Sequence, residues 1–356
     1  MTGRRFRWLL ALSGALALAV VLAGCSQFAY YAHTVRGQID VLSKREPVAE
    51  LLEDEATPEP LKTRLAEIQA MRDFASAELG LPDNKSYRTY ADVGRRYVVW
   101  NVFAAPAYEV EPYQWCFLFV GCVTYRGYFA EEKALKFADG LREEGYDVYV
   151  GGVAAYSTLG NFADPILNTM LYNDDLGLAA LLFHELSHQV LYVNGDTAFN
   201  ESFATAVEEE GVRRWLIAQG DEAQFERYQQ RKQRSAEFAE LIGSARDALR
   251  EAYAATRDTD GAAAAKREVF DQLQLDYQAL REQWGGYAGY DQWFARDLNN
   301  AHLSSVAAYR GLVPEFRALL AASDNDLVAF YARVEAMAEL DPDARRAELE
   351  ALTPAN

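Results

Sequence analysis

Two histidines stand four residues apart in this chain with a glutamate directly after the first. They lie in Phe183-His184-Glu185-Leu186-Ser187-His188. On a helix that spacing projects both imidazoles from one face. Two such rings can grip one zinc ion, and Glu185 is then placed to take a proton from the attacking water. The surrounding run, Leu176 to Val193, is apolar and reads as a helix of about four to five turns. Burying two imidazoles and a carboxylate there is costly unless something compensates them. A bound metal does so. The alternative is a core helix with two hydrogen-bonded histidines. The chain has four histidines in all, the others being His33 and His302.

A hydrolytic zinc site needs a third protein ligand and an open position for water. Asn194-Gly195-Asp196 reads as a turn. Thr197 to Ala204 opens a second helix, with Asp196 or Thr197 as N-cap. Helices joined by so short a connection lie antiparallel. That return brings Glu201 alongside His188 as the third ligand. Glu208, Glu209 and Glu210 lie two or more turns on and read as a solvated acidic face.

H-E-x-x-H followed by Asn200-Glu201-Ser202-Phe203-Ala204 resembles the gluzincins, zinc peptidases with a His, His, Glu metal site. Asn200 to Ala204 is similar to the Asn-Glu-Gly-Phe-Ala segment of gluzincin aminopeptidases. Three further pieces join the metal segment in resembling a bacterial lipoprotein family of predicted aminopeptidases. They are Tyr125-Arg126-Gly127-Tyr128-Phe129, Thr158-Leu159-Gly160-Asn161-Phe162-Ala163-Asp164-Pro165 and Asn299-Asn300-Ala301. The resemblance spans residues 30 to 325 or so. It implies a zincin fold, Zn2+ as cofactor and aminopeptidase activity on peptide substrates. The chain departs from the pattern in two places. The twelve residues between His188 and Glu201 are fewer than gluzincins usually have. Thr205 stands where several place an Asp that orients a histidine, so the resemblance assigns no partner to the zinc histidines.

The first 24 residues read as a signal segment. Arg4, Arg5 and Arg7 precede the apolar stretch Trp8 to Leu22. Leu22-Ala23-Gly24-Cys25 resembles a lipobox, which implies lipidation at Cys25. An uncleaved signal anchor is the other reading. Ser26 after Cys25 resembles lipoproteins sorted to the outer membrane, so the expected location is the cell envelope, on the periplasmic face of that membrane. The formal charge of −18 repels nucleic acid and anionic membrane surfaces. It points to a soluble body held to the membrane through its N-terminal lipid only. Cys116 and Cys122 would then face an oxidising compartment. They form either a local disulfide or two buried free thiols.

Half of the residues are apolar and 13% aromatic, which excludes a disordered chain. The organisation reads as a signal peptide (1–24), an N-terminal helical segment (25–84), a zincin-like catalytic core (85–220) and a C-terminal helical region (221–356). Residues 34 to 80 read as helical, broken at Glu53 to Pro60. Residues 85 to 130 read as strands and turns, and Glu131 to Glu144 as an amphipathic helix. Tyr146 to Val150 alternates like a strand, continuing toward Ser157 beyond Gly151-Gly152. Gln224 to Arg250 reads as a charged surface helix pair. Residues 290 to 320 and 324 to 350 are helical, the first ending at or soon after Pro314. The fold class is α+β, predominantly helical: a small sheet, a metal-binding helix hairpin and C-terminal helices.

In the implied chemistry Glu185 takes a proton from water and passes it to the leaving amine. An oxyanion donor is also needed. His302 and Tyr309, seven apart on one helix face, are the candidates, with Tyr309 preferred. Arg126 either binds a carboxylate or holds a loop, and His33 has no assigned role. The strand from Asp147 to Ser157 can pair with an extended peptide, so Ser157, Thr158, Leu159 and Gly160 are expected to line the cleft, with Asp164 to hold a substrate ammonium. Gly160 and its neighbours otherwise form a bulge and a turn. Two other functions fit the residues: an endopeptidase acting on envelope proteins, and a non-catalytic zinc-stabilised binding lipoprotein.

Overall fold

A computed structural model describes residues 28–117, 121–256, 259–307 and 312–352. Helix predominates, with small sheets, so the fold is α+β with excess helix. The N-terminal region holds helix α1 (residues 28–43), a short strand β1 (Arg45–Pro47), and helices α2 (Val48–Glu53) and α3 (Glu59–Leu79). Pro58 and Pro60 flank the start of α3, where a missing N–H costs nothing. Gly80, at φ +65°, ends it.

The residues expected as strands form β2 (Thr89–Ala91), β3 (Val99–Pro106), β4 (Trp115–Phe117), β5 (Gly121–Val123) and β6 (Arg126–Tyr128). Helix α4 (Glu131–Glu143) and strand β7 (Tyr146–Val153) follow. β3 is the centre of an antiparallel three-stranded sheet, β6-β3-β7, with Val99 opposite Val153 and Pro106 opposite Tyr146. β7 is thus an edge strand, and it runs straight through Gly151 and Gly152. A Cβ on Gly152 would lie 2.2 Å from the Tyr97 ring, so that glycine makes room for Tyr97 rather than for a substrate. A second sheet, β1-β2-β8, contains β8 (Ile166–Leu167), and a 3₁₀ turn (Met170–Tyr172) follows it. The β4-β5 hairpin sets Cys116 directly opposite Cys122, and the structure joins them as a disulfide.

The metal segment forms α5 (Asp175–Ser187), capped by Asp174, which accepts from Gly177 N. It stops at His188, earlier than the apolar run suggests. Residues 189–196 are a loop with Gly195 at φ +83°. Helix α6 (Thr197–Gln219) then starts at Asp196, whose carboxylate accepts from Phe199 N. Gly211 lets α6 lie close on α5 and α3: a Cβ there would meet Phe183 and Leu79 at 2.8 Å. Phe183, Leu186, Phe199, Phe203 and Val207 fill the main core with residues of α3 and the C-terminal helices.

The expected helix pair within Gln224 to Arg250 is instead one continuous helix, α7 (Glu222–Ala255). Its partner is the next helix, α8 (Thr259–Gln283). After α9 (Asp291–Phe294) and α10 (Asn300–Ala307), Pro314 opens α11 (Val313–Ala321) rather than ending a helix. Helices α12 (Leu327–Ala338) and α13 (Pro342–Glu350) complete the described chain.

Candidate metal centre

α6 returns antiparallel along α5, and the side chains record it. His188 meets Glu201, and one turn earlier His184 meets both Glu201 and Glu208. His184 Nε2 is 3.3 Å from Glu201 Oε2, and His188 Nε2 is 3.6 Å from Glu201 Oε1. The two rings lie 4.9 Å apart, nearly perpendicular. Ligand atoms about 2.1 Å from a tetrahedral ion stand roughly 3.4 Å from one another. The donor set therefore fits a metal: two imidazole nitrogens and a carboxylate converge, with all ligand atoms within 4.8 Å. Among the described residues this is the one such group.

Glu201 is held by its neighbour. Asn200 is fully buried and brackets Val193: its Oδ1 accepts from Val193 N at 2.8 Å, and its Nδ2 donates to Val193 O at 2.8 Å. That clamp closes the loop after α5 and fixes where α6 begins.

Glu208 corrects the sequence reading. It is no solvated acid: its Oε2 stands 3.2 Å from His184 Nδ1, and Lys232 of α7 donates to its Oε1 at 3.1 Å. Glu209 pairs with Lys232 and Arg317, and Glu210 with Arg213 and Arg214. The acidic run is neutralised by cations from α7 and α11 as well as from its own helix. Glu208 thus supplies the histidine partner that Thr205 does not.

The charges follow. Burial disfavours a charged His184, but hydrogen bonds to Glu201 and Glu208 outweigh it and raise the imidazole to about 10. Burial and the His184 charge depress His188 to about 4. Glu201 and Glu208 are held below their ordinary value; burial opposes this, and His184 overcomes it. Burial pushes Glu185 up to about 7, against the His184 charge and with help from Glu201 and Asp164. Without a metal, a proton on His184 joins Lys232 as a cation among these carboxylates.

Three tyrosines surround the centre that sequence reasoning did not single out. Tyr125, between β5 and β6, is raised to about 12 by burial and then by Glu201, Tyr192 and Glu185. The Tyr192 ring stands 6.2 Å from that of His188. Tyr87 is 1% exposed, has φ +62°, and its hydroxyl has no hydrogen-bond partner among the described residues. Burial and then the Glu185 charge raise it far above its ordinary value. Buried Arg72 holds the loop before it, donating to Ser86 O and Pro82 O. Tyr125 had one available signal, its place in Tyr-Arg-Gly-Tyr-Phe.

The remaining expected residues divide. Tyr309 lies outside the described residues. His302 is buried against Tyr149, with ring centroids 4.4 Å apart, and its Nδ1 is 3.0 Å from Asn299 Oδ1; its contacts are those of packing. Arg126 stacks over the Tyr30 and Phe137 rings and serves structure. Ser157, Thr158, Leu159 and Gly160 form a tight loop. Asp164 builds that loop instead of offering a free carboxylate: it is 3% exposed, and its oxygens accept from Thr158 N and Oγ1. Gly160, at φ +77° after Leu159 at +56°, is needed by the turn itself. The loop reaches the site's edge, since Gly160 approaches Gln189, the residue after His188.

A family model described as "Putative aminopeptidase" matches residues 29–349, most of the chain. No curated protein and no solved structure matches it.

Proposed function

The chain belongs to the putative aminopeptidase family, and on that footing we propose that it is a zinc peptidase of the gluzincin type. The observation that carries this reading is Glu201, whose two oxygens face the Nε2 atoms of His184 and His188, with Glu185 on the same helix. These three side chains would hold the ion, and Glu208 with Lys232 would orient His184. Zinc bound there would polarise the scissile carbonyl and make water easier to deprotonate. Glu185 accepts the proton of the attacking water and delivers it to the leaving amine. Tyr125 donates its hydroxyl hydrogen to the oxygen that gains charge. The exposed side of the 157–162 loop receives the peptide.

The proposal includes a lipid at Cys25 and a place in the bacterial cell envelope. Among the described residues no helix is long and apolar enough to cross a membrane. A peptide library digested by the zinc-loaded protein and read by mass spectrometry tests the activity. Release of single N-terminal residues is the expected result. Internal cuts would make it an endopeptidase, and no cleavage with zinc bound would leave a binding lipoprotein.

A further inference from the structure

Helix α1 has two opposite faces, and the described residues of the body cover only one. Tyr30 packs on Phe117 and Tyr128, with centroids 5.4 and 5.5 Å apart. His33 Nε2 accepts from Phe129 N at 3.2 Å. Gly37 lies so close to Phe129 that a Cβ would be 2.2 Å from the ring, and Val41 is fully buried. At 3.6 residues per turn, Phe28, Ala32, Val35 and Ile39 fall in a band about 60° wide on the opposite side. Phe28, Val35 and Ile39 are 76%, 57% and 59% exposed. Elsewhere among the described residues, each helix shows at most one exposed large hydrophobic, the ordinary scatter of a protein surface.

Charge is segregated in the same place. The chain has 53 acidic residues, and all of them lie from Asp40 onward; residues 1–39 contain none, and Arg36 borders the apolar band. Cys25 precedes Phe28 by three residues, a reach of about 10 Å when extended. We propose that the Phe28-Ala32-Val35-Ile39 face of α1 lies in the headgroup boundary of the bilayer that carries the anchor, an inference that rests on reading Cys25 as the lipidated residue. The apolar side chains enter the interface while the acidic body stays in water. The body then cannot swing freely on its tether. α1 also holds the loop system beside the metal centre: Tyr156 donates to Gln38 Oε1, and Arg45, just past the helix, donates to Ala163 O at 3.0 Å. The bilayer contact would therefore orient the proposed peptide entrance relative to the membrane.

The test uses the full chain on vesicles of phosphatidylethanolamine and phosphatidylglycerol, with Val35, Ile39 or, as a control on the body, Ile217 (60% exposed) replaced by benzoylphenylalanine. Irradiation should give lipid adducts at positions 35 and 39 about tenfold above position 217. With the probe moved to Phe28, V35E/I39E should lower the adduct yield about tenfold, while melting temperature and cleavage of soluble peptides stay unchanged. Intact mass reports the lipid on Cys25 in the same samples. A lipidated chain without adducts at 35 and 39 overturns the proposal. Adducts to a second copy, or to residues 8–22 of the same chain, also overturn it. Adducts at 35 and 39 on an unlipidated chain uphold the face and remove the anchor. Loss of peptidase activity has no bearing on either result.

Discussion

Glu208 Oε2 stands 3.2 Å from His184 Nδ1, on the far side of the ring from the nitrogen that faces Glu201. The ring is therefore held at both ends by carboxylates of one helix, seven residues apart. Lys232 balances the outer carboxylate. A histidine so held has one tautomer and one orientation available to a metal, with Nδ1 bearing the hydrogen and Nε2 free to ligate.

Glu208→Gln should weaken zinc affinity about 10- to 100-fold without abolishing binding at saturation. Competition with a chromogenic chelator measures it. Unchanged affinity would leave Glu208 a purely structural partner of Lys232.

Metal uptake should depend on pH with a definite sign. In the metal-free protein His184 is raised to about 10 from an ordinary 6.5. Its contribution to stability is fully present below 6.5 and is lost as pH rises through about 10. A metal must displace that proton, so apparent affinity should tighten with pH between 7 and 10, by about tenfold per unit. Calorimetry in buffers of different ionisation enthalpy should show about one proton released per ion at pH 8. Release of none would contradict a charged His184.

Tyr125→Phe should lower kcat by about 10²-fold with KM little changed, as for loss of a donor used mainly in the transition state. Zinc content should be unaffected. Wild-type turnover would return the role to Tyr309 or Tyr192.

Asn200→Ala would leave Val193 N–H unpaired and its C=O with the Asp196 N–H alone. A loss of about 2 kcal/mol in unfolding free energy is expected, with weaker zinc binding because Glu201 follows directly. Chemical denaturation of the metal-free form separates the two effects.

The convergence of His184, His188 and Glu201 was legible in the sequence because it depends on short-range geometry. Helical spacing aligns His184 with His188, and the brief connection returns Glu201 to them. Glu208 was not legible. Three successive acids look solvated until α7 and α11 bring Lys232 and Arg317 against them, and those pairings are long-range. The same limit hid Tyr87 and Tyr125, which reach the site from separate loops. Pro314 marked a helix boundary correctly but from the wrong side, since proline opens a helix as readily as it ends one. The Gly151-Gly152 pair suggested a break, yet β3 carries the strand across it.

The most direct measurement is peptide hydrolysis by zinc-loaded Glu185→Gln with its metal content determined in the same sample. Glutamine keeps the shape of the side chain and cannot accept the proton. One zinc per chain, with turnover reduced by at least about 10³-fold, is the predicted result. Turnover equal to that of the unsubstituted protein, with contaminating protease excluded, would contradict the assignment of Glu185 and the hydrolytic reading of this centre.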